Sequence, residues 1–315
     1  MQLLRQCNYR CVHCSQAAPH VGDQHIEPLP VEIVKGRLDE LCRSGLKRVR
    51  FTGGEPLLHP QLAEVVEYAK SLGVDTSIVT NGSLLQAATR ELIQAGLNSV
   101  WISLYGANRD AYAEVAKRSA PVGLLGNAIR TLSANGVRVG IYCTVDLSSS
   151  GLDLSLLSEL VLKGITHVKF MQLMEQGRQL ESVERSSAKL QRSALAEIAS
   201  FRSAHSHTQV SVSMRSGQRD DFLASGFNIP NYLGCTAGMP DSWSVGTNGG
   251  LKPCCLMMGS AGPASLELGS GVHVIRRFPV ADIRRPVSGK VCPALPEYKT
   301  QLQEEFICPL AYATA

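Results

Sequence analysis

The feature that most constrains the fold is a repeat in which short β-branched segments alternate with amphipathic helical stretches, each closed by a glycine. Strands are expected at Lys47–Thr52, Asp75–Val79, Asn98–Leu104, Arg138–Val145 and His167–Leu173, with a short first strand inside Met1–Cys7. Helices are expected to begin near Pro30, Leu62, Leu84, Pro121 and Leu152 and to stop at Gly45, Gly73, Gly96, Gly136 and Gly164. Glycine adopts the left-handed backbone that ends a helix. In the first of these helices Ile33, Val34, Leu38 and Leu41 share a face, and Glu32, Lys35, Arg37 and Glu40 face outward. Strands alternating with helices imply βαβ units and a parallel sheet. The pattern is compatible with an open doubly wound sheet and with a barrel. No Gly-x-Gly-x-x-Gly follows the first strand, which counts against a dinucleotide fold. In either architecture ligands bind beyond the carboxyl ends of the strands.

A helix around Ala188–Ala204 and a strand at Thr208–Met214 complete this part. From Ser216 the chain turns polar and irregular, then rich in glycine, proline and cysteine. A domain boundary is therefore expected there, dividing residues 1–215 from 216–315.

Composition narrows the function. A net charge of +4 with no basic run makes no case for nucleic acid. No apolar stretch approaches the roughly 20 residues that cross a bilayer, and Met1-Gln2-Leu3-Leu4-Arg5 is too short and polar for a signal peptide. A cytoplasmic location away from membranes is expected, where thiols stay reduced and serve as metal ligands or catalysts rather than disulfides. The ten cysteines cluster accordingly: three lie within eight residues at the start, five follow Gly234, and Cys42 and Cys143 lie between.

The opening cluster, Cys7, Cys11 and Cys14, has the spacing C-x3-C-x2-C. Thiolates so spaced on a tight loop converge on a [4Fe–4S] cluster and leave one iron open to an exogenous chelate. The competing reading is zinc, which usually takes four ligands; His13, between two of the cysteines, is an awkward fourth.

C-x3-C-x2-C after a first strand, with Gly53-Gly54-Glu55-Pro56 after the second, resembles the radical S-adenosylmethionine (SAM) superfamily, and strand order agrees from Met1 to about Met214. The resemblance implies a partial (β/α)6 TIM-like barrel. It also implies that the open iron is chelated by SAM, and that an electron from a donor such as flavodoxin or ferredoxin cleaves SAM to methionine and a 5′-deoxyadenosyl radical, which takes a hydrogen from the substrate. By the same resemblance Gly53, Gly54 and Glu55 receive the methionine amino group, two glycines admitting a close approach and the carboxylate accepting from an ammonium. Asn81 of Thr80-Asn81-Gly82 and Ser103 of Ser103-Leu-Tyr-Gly106 are expected in the SAM site, Ser103 near the ribose and carboxylate; Tyr105 stands where the family more often has Asp. Phe170–Gly177 resembles the segment that packs on adenine, with Gln172, Glu175 and Arg178 as polar groups. Each of these motifs alone reads as an ordinary turn or strand end.

The later cysteines form C-x13-G-x4-C between Cys235 and Cys254, a spacing in which a hairpin brings the two together, followed by Cys292-Pro293 and Cys308-Pro309. This resembles the SPASM/twitch extension of the family. The further C-x2-C-x5-C-x3-C block is missing, so a short twitch-like domain with one auxiliary [4Fe–4S] cluster is expected, held by Cys235, Cys254, Cys292 and Cys308. Cys42 reads as core. Cys255, and behind it Cys143, are candidate hydrogen-atom donors, with Cys254 and Cys255 interchangeable as ligand.

A donor thiol points to redox-neutral epimerisation of a natural product, a small sugar or aminoglycoside-like molecule or a ribosomal peptide. The nearness of the first cysteine to Met1 favours the small molecule. Dehydrogenation or cross-linking, with an electron passed to the auxiliary cluster, is the oxidative alternative. A cofactor-biosynthesis cyclase is another: Phe170-Met-Gln-Leu-Met resembles the molybdenum cofactor cyclase, although the ending Leu310-Ala-Tyr-Ala-Thr-Ala315 lacks that family's glycine-rich tail with arginines. A non-enzymatic iron–sulfur or zinc protein leaves the Gly53–Pro56 turn and the serial strand-end motifs unexplained.

Overall fold

The computed structural model describes residues 1–14, 16–145, 151–172, 192–213, 244–247 and 251–252. The expected alternation is present. Six parallel strands, β1 (Arg48–Phe51), β2 (Asp75–Thr80), β3 (Ser99–Leu104), β4 (Arg138–Val145), β5 (His167–Gln172) and β6 (Gln209–Ser213), lie side by side in chain order. The helices are α1 (Val31–Arg43), α2 (Leu62–Ser71), α3 (Leu85–Gln94), α4 (Arg109–Ala116), α5 (Val122–Ala134), α6 (Ser155–Val161) and α7 (Arg192–Ala204). None is long and apolar enough to cross a membrane. All five expected glycine stops have positive φ, from 75° to 118°.

The order settles which parallel architecture this is. A doubly wound sheet reverses its strand order at a switch point. Here the order never reverses, and right-handed crossovers then place every helix on one face. Register identifies that face. Ile102 pairs with Ile141, Leu104 with Cys143, and Cys143 with Phe170. Ile102 and Leu125 of α5 meet at the space beside Gly82, and Phe170 packs edge-on against Phe201 of α7, 5.8 Å between centroids. The face of Ile102, Leu104, Cys143 and Phe170 is thus the helix-covered one.

The opposite face carries Arg50, Trp101, Ser103, Tyr142 and Lys169. The Arg50 guanidinium lies 5.7 Å from the Trp101 ring and 5.6 Å from the Tyr142 ring. Strands β1 and β4 would be about 14 Å apart in a flat sheet, so this contact reflects a sheet curled around that face. The result is a partial barrel with a concave interior.

Two elements differ from expectation. Met1–Cys7 runs extended beside β1 but makes a single parallel bridge on that side, Gln2–Thr52, its other bridge, Cys7–His20, lying off the sheet. Its further bonds, Gly54 N–H to Leu4 O (2.9 Å) and Glu55 N–H to Gln6 O (2.9 Å), go to a turn that leaves the sheet, so no ladder continues. Helix α4 was not expected, because no glycine marks its end: Lys117 itself takes the left-handed conformation, φ 56°. Its start is set by Asn108, whose side chain accepts from Ala111 N–H at 2.8 Å.

Between Cys235 and Cys254 a short antiparallel pair, β7 (Ser244–Val245) and β8 (Leu251–Lys252), supplies the expected hairpin. It docks on the amino-terminal segment, Gln2 N–H donating to Val245 O at 2.7 Å. The expected boundary near Ser216 lies outside the described residues.

Candidate active site

The Cys7–Cys14 loop sits beyond the carboxyl ends of the strands and is held from three sides. Cys7 bridges His20, with Cys7 N–H on Pro19 O and Val21 N–H on Cys7 O. Val12 N–H reaches Val115 O of α4 at 3.0 Å. Arg10 grips Asp23 through two bonds of 2.8 and 2.5 Å across the loop mouth, and the Asp23 carboxyl is accordingly held below its usual range. Tyr105 backs the loop with rings: His13 lies 5.0 Å away, Tyr112 5.8 Å and Tyr9 6.3 Å. In place of the acid more usual there, Tyr105 is thus a wall of the loop.

Cys7, Cys11 and Cys14 are in the thiol form, outside any disulfide. Cys7 Sγ accepts from Tyr9 N–H (3.4 Å) and from Asn81 Nδ2 (3.7 Å), and Cys14 Sγ accepts from Ala18 N–H (3.4 Å). Burial pushes the Cys7 thiol up to about 11, with Glu55 and Cys14 adding to the rise against the two donors. Burial likewise pushes the His13 imidazole down to about 4.

These residues fit an iron–sulfur cluster better than zinc. Zinc at 2.3 Å from each sulfur would require thiolates about 3.8 Å apart. Among the described residues no three His, Cys, Asp or Glu side chains close on one ion in that way. A cluster takes its thiolates wider apart, one per iron, and its sulfurs accept N–H bonds of the kind already aimed at Cys7 and Cys14.

The Gly53–Pro56 turn does a different first job from the one expected. A side chain at Gly53 would meet Leu4 Cδ2 at 2.7 Å, and one at Gly54 would enter the backbone of Arg5 and Gln6. Both glycines are therefore required by the approach of the chain's own amino-terminal segment. Glu55 is fully buried, and its carboxylate accepts from Thr80 Oγ1 (2.6 Å), Asn81 N–H (2.7 Å) and Leu57 N–H (3.1 Å). Three of its roughly four acceptor positions are filled, so it braces the β1 turn against the β2 turn. Burial raises its pKa to about 7 despite those donors.

Asn81 is 3% exposed and its side chain is engaged with the Cys7 loop rather than open toward a ligand. Its Oδ1 accepts from Ser83 N–H (2.9 Å) and Ser83 Oγ (2.6 Å), and its Nδ2 donates to Asn8 Oδ1 (2.9 Å) as well as to Cys7 Sγ. Ser103 lies on the concave face beside Tyr142, and Gln172 ends β5 opposite Val145. Cys143, the second candidate hydrogen-atom donor, is a correction: it is fully buried on the helix-covered face between Leu104 and Phe170, with its thiol pushed far up by desolvation. Strand alternation leaves it no path to the concave side. Cys42 is half-buried against the core, as expected. Glu175, Arg178, Cys235, Cys254, Cys255, Cys292 and Cys308 lie outside the described residues.

The sequence reading missed the floor of the concave face. Trp101 and Tyr142 stack at 4.5 Å and 17° with Arg50 over both, and Gly140 leaves the space for the Trp101 ring. Lys169 is half-buried on the same face; burial, then Arg50, lowers its pKa. Among the described residues neither cation is paired with a carboxylate. The legible signal was the alternation Arg48-Val49-Arg50-Phe51, whose charged members face away from the helices.

Residues 1–148 match the family model described as the radical SAM superfamily. A GTP 3′,8-cyclase of Chlorobaculum tepidum is 36% identical over 36% of this chain and 34% of its own length, and that of Helicobacter pylori is 28% identical over 56% and 55%. The chain thus spans between a third and about half of these curated relatives. Among solved structures, Streptococcus suis SuiB bound to the precursor peptide SuiA superposes with a TM-score of 0.63 at 15% identity, covering 88% of this chain and 62% of that one. Native anSMEcpe, with bound AdoMet and the Kp18Cys peptide, superposes at 0.57 and 15%, covering 81% and 74%. At such identities the likeness is one of fold.

Proposed function

From a chain whose residues 1–148 match the radical SAM superfamily model, we propose an enzyme that cleaves SAM reductively and abstracts hydrogen from a small anionic substrate lying on the concave face. The observation that carries the first part is the Cys7–Cys11–Cys14 loop, fixed beyond the strand ends beside the braced Gly53–Pro56 turn. When bound there, a [4Fe–4S] cluster would supply the electron for SAM cleavage. The chain's own part is to hold the three thiolates, to donate N–H bonds to two of them, and to seal the loop from below with Tyr9, Tyr105 and Tyr112.

The floor supports a substrate class. Arg50 and Lys169 favour a phosphate or carboxylate, and the Trp101–Tyr142 stack favours a flat ring. An aminoglycoside, with several ammonium groups, is disfavoured: one such charge about 6 Å from either cation is repelled by roughly 3 kcal/mol at an effective dielectric near 20. The same features suit a nucleotide, the kind of molecule named in the GTP 3′,8-cyclases, and support cyclisation over the epimerisation expected from sequence. Epimerisation would now rest on Cys255 alone. The auxiliary cluster on Cys235, Cys254, Cys292 and Cys308, and a flavodoxin or ferredoxin as reductant, belong to the same proposal.

The test is anaerobic reconstitution followed by iron analysis and assay of 5′-deoxyadenosine. About eight irons per chain are expected with both clusters and about four with the first alone. Reductant-dependent 5′-deoxyadenosine should appear, and C11A should abolish it. Absence of cleavage in the fully loaded protein sinks the enzyme reading. Nucleotide binding that survives R50A combined with K169A sinks the substrate assignment.

A further inference from the structure

We propose that Asn81 is a positioning residue that sets the reduction potential of the first cluster, through an N–H···S bond from its side chain to Cys7. The inference rests on the reading that Cys7 ligates the cluster. It assigns to Asn81 a role toward the cluster's sulfur in place of a contact to SAM.

The orientation of the Asn81 amide is determined by its partners. Ser83 N–H can only donate, so the atom 2.9 Å from it must be the oxygen. Ser83 Oγ adds a second approach to the same oxygen at 2.6 Å. The nitrogen therefore faces the other way, where it meets Asn8 Oδ1 at 2.9 Å and Cys7 Sγ at 3.7 Å. Asn8 closes the ring by donating to Ser83 Oγ at 2.9 Å. The backbone of Asn81 is held separately, its N–H on Glu55 Oε2 at 2.7 Å. Each hydrogen of the amide thus has one acceptor, and one of those acceptors is the sulfur.

The physical consequence follows from charge. A bound cluster takes Cys7 as a thiolate, and each added electron makes the sulfurs more negative. A donor at the sulfur stabilises the reduced state more than the oxidised one and raises the potential. At 3% exposure little water competes for the bond. Asn81 and the Cys7 loop arrive from distant parts of the chain, so the bond also reports whether the β2 turn and the cluster loop are seated together.

The experiment is an EPR-monitored redox titration of the reconstituted protein, the first cluster being identified by the change SAM causes in its spectrum. N81L removes the donor at similar volume and should lower the reduced-to-oxidised ratio at fixed potential about tenfold, a midpoint shift of ~59 mV for a one-electron couple. An exchangeable deuteron coupled to the reduced cluster in deuterium oxide should be lost with it. N81D keeps an oxygen for Ser83 and turns a second oxygen toward Cys7; its midpoint should also fall, and it decides the matter if N81L does not load iron. S83A leaves the donor in place and should keep the wild-type midpoint. An unchanged midpoint in N81L or, where that variant stays empty, in N81D overturns the proposal, as does an equal fall in S83A. Failure of the wild-type protein to bind iron sinks the cluster reading instead.

Discussion

The two faces of the sheet are built from alternate residues of the same strands, yet they differ in every physical respect. On the helix-covered face Ile78, Val100, Ile102, Leu104, Ile141, Cys143 and Phe170 are fully buried. On the concave face Arg50 is exposed, and Trp101, Ser103, Tyr142 and Lys169 are half-buried. The first face holds the fold together through burial; the second spends its side chains on charge, rings and hydroxyls that a core would not choose. A single-wound sheet permits this division because its helices cover one side only.

The comparison predicts unequal costs for neighbouring substitutions. I102A should destabilise by about 2–5 kcal/mol, as removal of a buried branched side chain does, whereas S103A should change stability by less than about 0.5 kcal/mol. Urea denaturation of the pair checks it, and equal losses would break the division of faces.

A second effect belongs to the strand ends, where the faces meet. The Glu55 pKa rises from 4.5 in the open chain to about 7 in the fold. Between those values the native state binds the extra proton, so stability falls as pH rises through the window and levels off above it. The full span is at most about 3 kcal/mol. Denaturation midpoints from pH 4.5 to 8 should show the decline in wild type and lose it in E55Q; a wild-type stability that rises through this window refutes the burial argument.

Smaller again is G140A. Its methyl would meet the Trp101 ring at 2.7 Å and tilt it from Tyr142, costing ~1–3 kcal/mol and reducing nucleotide affinity. A fall in stability with affinity intact would show that the ring stack serves the fold alone. For R50A the expected stability loss is about 0.5–1 kcal/mol, from the lost contact over the two rings, and the variant should raise the KM for an anionic substrate.

Much of this was legible in local patterns. The glycines that end helices, the β-branched strands and the C-x3-C-x2-C loop depend on few neighbouring residues, so they read directly from the chain. Helix α4 was hidden because Lys117 took over a glycine's task. The contacts of Gly54, Glu55 and Asn81 within the fold were hidden for a different reason: their partners, Gln6, Thr80 and Cys7, lie 25 to 74 positions away for the side-chain bonds.

By itself, then, the sequence determined that the strands would be parallel, that three thiols would share one loop, and that this loop would follow the first extended segment. Spacing and periodicity act over a few residues, and those statements need nothing more. Tertiary structure alone decided which face of each strand is open, which removed Cys143 from the candidate donors and revealed Arg50, Trp101, Tyr142 and Lys169 as a floor. It also decided that the Asn81 amide meets the Cys7 thiol. Strand order and curl bring together residues far apart in the chain, and no local pattern encodes that distance.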